Sequence, residues 1–221
     1  SSLEGPHGFI NVLAPDRKAA ELTAGLGMTY EILLNSYKPF ACGVVAHPVI
    51  DACIRLRNEQ KVNPADIATI ALTVSPRALE LTGIKAPPNG LKSKWSIYHS
   101  AAVALVDGAA GEHQYGDERV NAPEVLALRA KIAAAADPAL AEIAARVVVT
   151  LNDGRVLEQH VERVVGSAEN PMSDRDLETK VRGLGDGVLP AARIDELLAL
   201  IWRAEELPNA AALARAAALQ S

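Results

Sequence analysis

The sequence predicts an α+β fold in which helices are more numerous than strands. Apolar residues recur at helical spacing after Pro48, whereas residues 70–74 alternate as in a half-buried strand. Two further alternating segments, 146–151 and 155–163, flank the turn sequence Asn-Asp-Gly, a strong signal for a β-hairpin. Helical patterns dominate from residue 173 onward. Together these observations predict a mixed αβ middle followed by a helical tail.

Composition argues against several classes of protein. The 221 residues are 49% hydrophobic and 22% charged, with 22 basic and 27 acidic side chains and a formal net charge of −5. This balance supports a folded core and lacks the basic surface of a nucleic-acid-binding protein. The sequence contains no run of about 18 uncharged apolar residues, so we predict no membrane-spanning segment. The N-terminal residues lack the basic and apolar regions of an export signal, and we therefore expect a cytoplasmic protein.

In the first half of the chain, helical patterns cover 19–26, where glycines end the helix, and 48–60. Residues 30–40 predict an extended or turning link between these helices. A turn at 63–66 precedes the strand predicted at 70–74, which a proline then ends.

In the second half, a loop rich in Pro and Gly at 85–90 precedes a helix predicted to begin near Ser96 and to stop before Gly108. Ser173 and, three residues later, Asp176 resemble a capping box at the start of another helix. Further helices are predicted at 123–135, from 173 toward 182, at 191–204 and at 208–219.

The segment YKPFACGVVAHPVID places Lys38, Cys42 and His47 within ten residues, on a link and at the start of a helix. A helix N-terminus beside a lysine suits a carboxylate-bearing ligand, and the ordinary pKa of histidine suits His47 to acid-base catalysis. The alternative is that His47 is a structural first-turn residue and Lys38 a solvated side chain. Cys42 is more typical of a buried thiol than of a nucleophile. Cys42 and Cys53 lack metal-ligand spacing, so they predict neither a disulfide framework nor a metal site.

A second group of polar residues occurs in LKSKWSIYHS, where Lys92, Lys94, Ser96, Tyr98 and His99 precede or open a helix. This group is a second candidate anion site. The alternative is a basic loop in which Ser96 caps the helix and Tyr98 or His99 fills the core.

Other histidine and glycine motifs indicate no site. His113 lies in a polar loop and His160 on the polar face of a strand, so both are predicted to be structural or solvated. The GLGDG sequence at 183–187 follows a helix rather than a strand, which argues against dinucleotide binding. The EGPHGF sequence lacks the spacing and the Lys-Ser/Thr end of a phosphate-binding loop.

Four segments, EGPHGF, YKPFACGVVAHPVIDA, KWSIYHSAAVALVDG and AENPMSDRDLETKV, resemble the MmgE/PrpD family in the same order and at similar separations. The resemblance covers nearly the whole chain. It implies a large helical domain and a smaller αβ lid whose sequence interrupts that domain. We therefore expect the end of the helical domain at 1–33, an αβ lid at 34–168, and helices at 169–221 that return to the helical domain, most of which is missing from this chain.

The resemblance also implies partners and chemistry. Members of the family are longer, so the chain resembles their C-terminal half and is expected to need an N-terminal helical half from the same or a separate chain. Members act on small di- or tricarboxylates without a metal or organic cofactor and move a proton next to a carboxylate. We also expect the chain to form a homodimer.

Individual residues match positions of the family pattern. The resemblance implies that Lys38 binds a substrate carboxylate and that His47 is catalytic. Ser96 matches the serine of an S-x-x-Y pattern in which His99 replaces a frequent tyrosine. We assign Ser96 and Lys94 to substrate binding and His99 to catalysis.

Gly43 occupies the position of an active-site histidine in the decarboxylase branch of the family. The expected reaction is therefore dehydration or epimerisation by proton abstraction alpha to a carboxylate, with a base supplied by His47 or by the helical half. The alternative is a non-catalytic carboxylate-binding or oligomerisation module with the same fold. One apolar stripe in the tail requires a partner surface and consists of Ile194, Leu197, Leu198 and Ile201.

Overall fold

The computed structural model describes residues 2–3, 5–13 and 23–219, which fall into two compact units, 1–36 and 37–221. In the first unit, helix α1 (Phe9–Leu13) follows a tight turn, in which the N–H of Gly8 donates to the carbonyl of Gly5, and buries Ile10. The predicted helix at 19–26 lies outside the described residues as far as residue 22. Its remaining residues form turns.

The second unit contains a sheet and the remaining helices. A 3₁₀ turn at Val44–Ala46 leads into its first helix, and another at Glu112–Tyr115 follows its fourth. The helices are α2 (His47–Asn58), α3 (Pro76–Thr82), α4 (Gly90–Ser93), α5 (Ile97–Asp107), α6 (Asp117–Val120), α7 (Pro123–Arg129), α8 (Asp174–Gly185), α9 (Ala191–Ile201) and α10 (Ala211–Ala217), and the strands are β1 (Ile67–Val74), β2 (Ile132–Ala136), β3 (Ala145–Leu151) and β4 (Val156–Val161).

The four strands form one mixed sheet in the order β2-β1-β3-β4. Strand β1 pairs in parallel with β2 and antiparallel with β3, so that Leu72 lies opposite Ala134 on one side and Val147 on the other. Strands β3 and β4 form the predicted hairpin, whose turn ends at Gly154 with φ +88°. A glycine suits this position because L side chains rarely adopt positive φ. The helices and the sheet confirm the α+β class, whereas the predicted domain boundaries stay a prediction.

The helix predicted at 123–135 is wrong in its second half. Helix α7 ends at Arg129, and the alanine-rich sequence that follows forms β2. Alanine favours a helix in isolation, but here the backbone groups of β2 pair with the otherwise free edge of β1. Ile132 is buried at the start of the strand. Tertiary pairing therefore overrides local propensity in this segment.

Helices α2 and α5 pack against each other, and α2 also packs against β3 and β4. The periodic residues of α2, including Val49, Ile50, Cys53 and Leu56, are fully buried. Most of α5 is buried on every side, and small alanines permit this close packing. Both cysteines are buried free thiols, as predicted.

The ends of α5 coincide with the signals in the sequence. The side-chain oxygen of Ser96 accepts the backbone N–H of His99 at 3.1 Å, which caps the first turn. Gly108 ends the helix in the left-handed conformation with φ +71°. The alternative assignment of Ser96 as a helix cap is therefore confirmed.

The C-terminal helices pack on one another. The predicted capping box begins α8, since Ser173 accepts the backbone N–H of Asp176 and Asp176 accepts that of Ser173. Trp202, after α9, donates from Nε1 to Glu178 of α8 at 2.8 Å.

The predicted apolar stripe on α9 is partly covered. Helices α8 and α10 bury Ile194 and Leu198, while Ile201 stays exposed. The chain itself thus supplies part of the expected partner surface. In the part of the chain that the structure describes, no helix is both long and apolar enough to cross a bilayer.

We predict that Val149→Ala lowers the free energy of unfolding by about 1.5–3 kcal/mol, because Val149 is fully buried in β3 and loses two core methyl groups. The matched substitution Val156→Ala in β4, where the valine is 62% exposed, should cost less than about 0.5 kcal/mol. Urea unfolding followed by circular dichroism measures both values. Equal losses of unfolding free energy for the two variants would contradict the burial of Val149 on the side of the sheet that α2 covers.

Candidate functional site

A cavity in the second unit has a volume of about 1080 Å³. Its lining comes from five parts of the chain: residues 38–43, the outer side of α2, the loop before α5, the loop after α5, and α8 with the loop that precedes it. Apolar side chains such as Phe40, Ile54, Trp95 and Met172 form much of the surface. A few charged groups interrupt this apolar lining, which is typical of a pocket for a small polar ligand.

Backbone hydrogen bonds hold the segment that carries Lys38. The N–H of Tyr37 donates to the carbonyl of Gly166 at 2.9 Å, and the N–H of Ala41 donates to the carbonyl of Ala110 at 3.0 Å. Gly166 has φ +89°, and a Cβ there would lie 2.2 Å from the carbonyl oxygen of Tyr37. Only glycine permits this approach. The position of Lys38 is therefore set by contacts with distant parts of the chain.

Cationic side chains line the cavity, and two of them are neutralised locally. Lys94 contacts both carboxylate oxygens of Glu112 at 3.0 and 2.7 Å. Arg55 forms a bidentate pair with Asp51 one turn earlier on α2, at 2.8 and 2.9 Å. Lys38 has no carboxylate within 4 Å among the described residues. Its ammonium is therefore available to an anionic ligand.

His47 does not line the cavity, although it begins the helix that follows the Lys38 segment. Its side chain is 2% exposed and meets the Phe40 ring edge-on, with ring centroids 5.3 Å apart. Burial lowers the pKa of His47 to about 4, and the positive charges of Lys38 and Lys180 act in the same direction. The ring is therefore neutral at physiological pH. Its Nε2 atom has no hydrogen-bond partner among the described residues.

Ser96 and His99 are also buried away from the cavity. Ser96 is occupied as the cap of α5. The Nε2 atom of His99 lies 2.7 Å from the carbonyl oxygen of Gln114, and its ring meets Tyr115 edge-on. Burial lowers the pKa of His99 to about 4. Neither residue lines the cavity in this structure, and the roles assigned to them, substrate binding for Ser96 and catalysis for His99, stay predictions.

Buried polar side chains lie between the cavity and His99. Cys42 lines the cavity, and burial raises its pKa to about 11, so the thiol is protonated. Tyr115 and Ser100 hydrogen-bond to one another at 3.0 Å and both interact with Cys42. Burial also raises the pKa of Tyr115. The sequence analysis did not identify Tyr115, and no local motif marks it.

Gly43 shapes the wall beside Lys94. Its N–H donates to the carbonyl of Lys94 at 3.2 Å. A Cβ at Gly43 would lie 3.6 Å from two atoms of the Trp95 ring and 3.3 Å from a methyl group of Thr82. The φ of Gly43 is −62°, so the backbone does not require glycine. The absence of a side chain instead leaves room for the indole ring at the cavity.

The structure separates the predicted site residues into two groups. It brings Lys38 and Lys94 to one cavity and leaves His47, His99 and Ser96 behind the cavity wall. The side chains that were assigned to catalysis therefore do not line the cavity, although His47 packs against the lining residue Phe40.

Two features of the lining were missing from the predicted site. Lys180 reaches the cavity from α8, and its distance in sequence from Lys38 gives no local signal. The pairing of Asp51 with Arg55 does have a local signal, because an acid and a base four residues apart lie on the same side of a helix.

The two histidines that the sequence analysis placed outside a site lie at the surface. His113 and His160 are exposed, as predicted. No cluster of three His, Cys, Asp or Glu side chains suited to a metal ion occurs within the described ranges.

Comparison with known proteins agrees with this architecture. The chain belongs to the MmgE/PrpD family, since its residues 40–204 match the MmgE/PrpD C-terminal domain. It is 23% identical over 190 residues to a cis-aconitate decarboxylase of Mus musculus, which covers 81% of this chain and 38% of that protein. A cis-aconitate decarboxylase of Aspergillus terreus is 24% identical over 210 residues, covering 88% of this chain and 43% of the relative. The chain spans about two fifths of the length of these curated relatives.

We predict that the two buried histidines reduce stability at acid pH. Each has a pKa near 4 in the folded protein and an ordinary value of 6.5, so the unfolded chain takes up protons first as the pH falls. Stability should therefore be lost between about pH 6.5 and 4, by about 3 kcal/mol for each histidine. Urea unfolding at several pH values measures the slope.

The variants His47→Asn and His99→Asn should each flatten the pH dependence of the free energy of unfolding, since asparagine does not titrate. His160→Asn is the matched control at an exposed histidine. If neither variant changes the slope of unfolding free energy against pH, the loss of stability at acid pH does not come from His47 and His99.

Proposed function

We propose that this chain is part of a lyase or isomerase that acts on a small di- or tricarboxylate by moving a proton alpha to a carboxylate. One observation carries the proposal: Lys38 presents an ammonium without a neighbouring carboxylate, among the described residues, to a large cavity whose other basic groups are largely paired. Family membership supports an enzyme, and the names of the curated relatives support a lyase. As the family resemblance implies, the proposed reaction uses no metal or organic cofactor.

Lys38 is proposed to bind a substrate carboxylate and to stabilise the negative charge that develops when the adjacent carbon loses its proton. A fixed ammonium beside an enediolate-like intermediate favours the charged state over the neutral substrate. The apolar lining strengthens this effect because it excludes water from part of the cavity. Lys94 is proposed to contribute less, since Glu112 already neutralises it.

We assign the base to the N-terminal helical half expected from the family. His47 and His99 have the neutral form that a base needs, but neither lies on the cavity surface. A general base must come within hydrogen-bond reach of the proton that it removes. The helical half, on the same or a separate chain, would therefore complete the site. We expect the complete protein to be a homodimer and to act in the cytoplasm.

Dehydration or epimerisation remains the proposed reaction because of Gly43. In the decarboxylase branch this position is a histidine by resemblance, whereas here the space beside it holds the Trp95 ring. A site without that histidine lacks one proton donor. The direct test is proton NMR in D₂O of citrate-like and succinate-like acids, including cis-aconitate, with the chain and its helical half together. Exchange at an alpha carbon with loss of water or inversion is expected, and release of CO₂ would contradict this assignment.

A second candidate is a non-catalytic carboxylate-binding or oligomerisation module. The observation in its favour is that both candidate catalytic histidines are buried behind the cavity wall. This candidate predicts carboxylate binding without exchange or turnover when the helical half is present.

We predict that Lys38→Met weakens binding of tricarballylate to the chain by about tenfold or more, because a charge-assisted hydrogen bond is lost. Isothermal titration calorimetry measures the dissociation constant. Lys92→Met is the matched control, since Lys92 does not line this cavity and should leave the affinity unchanged.

The same experiment tests the proposed function. If tricarballylate does not bind to the unaltered chain, or binds equally well to the Lys38→Met variant, then Lys38 does not mark a carboxylate site. Urea unfolding of each variant shows whether a change in affinity reflects a change in folding.

A further inference from the structure

Lys180 lies on α8, 142 residues after Lys38, and lines the same cavity. Its ammonium donates a hydrogen bond to the backbone carbonyl of Lys38 at 2.5 Å. This bond connects helix α8 to the segment that carries Lys38. Lys180 therefore holds the backbone of Lys38 in place while its own charge stays at the cavity.

The charges around the cavity single out these two lysines. Arg55 and Lys94 each have a carboxylate partner, and His113 lies 3.3 Å from Asp186. Lys38 and Lys180 have no carboxylate within 4 Å among the described residues. The two lysines that remain unneutralised in this part of the lining are thus joined by the hydrogen bond from the Lys180 ammonium to the Lys38 carbonyl.

The acid on the same side of α8 as Lys180 forms hydrogen bonds elsewhere instead of an ion pair with Lys180. Asp176 precedes it by one turn, but its carboxylate accepts from the backbone N–H and the hydroxyl of Ser173 at 2.9 and 2.6 Å. Glu59, at the end of α2, also lines the cavity and lies one turn after the paired Arg55. Two ammonium groups without a shared counter-ion repel one another, and an anion placed between them relieves that repulsion.

The electrostatic environment of His47 also indicates that the charges of Lys38 and Lys180 lie near the same part of the cavity wall. Lys38 and Lys180 are the two charges that lower the pKa of His47 beyond the effect of burial. Both ammonium groups are therefore close to the same part of the wall, on the side where α2 begins.

We propose that Lys180 is a second substrate-binding residue, which positions Lys38 through its backbone carbonyl and binds the same polycarboxylate together with it. The inference rests on the proposed function and extends it. One ammonium suffices for a monocarboxylate, whereas two adjacent ammonium groups favour a ligand that carries at least two carboxylates. Lys180 is thus a determinant of the preference for di- and tricarboxylates.

The test compares tricarballylate with butyrate as probes of the 221-residue chain by isothermal titration calorimetry. Lys180→Met should weaken tricarballylate binding by about tenfold, because one charge-assisted contact is lost. Lys180→Arg keeps the charge and a donor and should stay within about threefold of the unaltered chain. Arg175→Met is the matched control on the same helix; Arg175 is exposed and does not line the cavity, so affinity should be unchanged.

A double-mutant cycle separates ligand binding from a purely structural role. If both lysines bind one ligand, the effects of Lys38→Met and Lys180→Met on tricarballylate affinity should be non-additive. The ratio of tricarballylate to butyrate affinity should also fall in Lys180→Met. A structural role alone would weaken both probes equally and would lower the free energy of unfolding, and it would overturn the inference.

The two proposals fail in different ways. If the unaltered chain binds tricarballylate and Lys38→Met abolishes binding while Lys180→Met does not weaken it, only the role of Lys180 is wrong. If the unaltered chain does not bind tricarballylate, both the proposed function and this inference are overturned.

Discussion

The burial of α2 against α5 and the sheet is the constraint on which the rest of the structure depends. The apolar side of α2 has no exposed residue among Val49, Ile50, Cys53 and Leu56, so neither its axis nor its rotation can change without opening the core. The segment that carries Lys38 enters directly into this helix. Backbone hydrogen bonds to distant loops then fix the position of that segment. The segment in turn forms part of the cavity lining.

The same packing separates two kinds of polar group. Cations lie at the cavity, where water and ligands can reach them, whereas the histidines His47 and His99 lie behind the wall and are held neutral by burial. A buried imidazole resists protonation because its charged form loses solvation, and nearby lysines add to that cost. The cations that line the cavity suit an anionic ligand, whereas the two buried histidines do not line it. The proposed reaction therefore takes its base from the helical half rather than from this unit.

Particular elements show how far the sequence could be interpreted. Helix α2, helix α5 with its Ser96 cap, the β3–β4 hairpin and the capping box of α8 were all predicted, because each depends on residues close together in the chain. Strand β2 was predicted as part of a helix, since only its pairing with β1 makes an alanine run extended. In the site, Lys38 and Lys94 were both assigned to substrate binding, and both line the cavity. Lys180 and Tyr115 were missed because no local pattern relates them to the Lys38 segment.

The sequence by itself determined the α+β class, the starts of helices α2, α5 and α8, the family, and Lys38 as a candidate site residue. Propensity, capping and periodicity act over a few residues, so these features are encoded locally. The tertiary structure decided which polar residues reach the cavity. His47, Ser96 and His99 are buried and do not reach the cavity, whereas the packing of α8 near the Lys38 segment brings Lys180 to it. Such outcomes depend on the free energy of packing distant segments together, which no local pattern records.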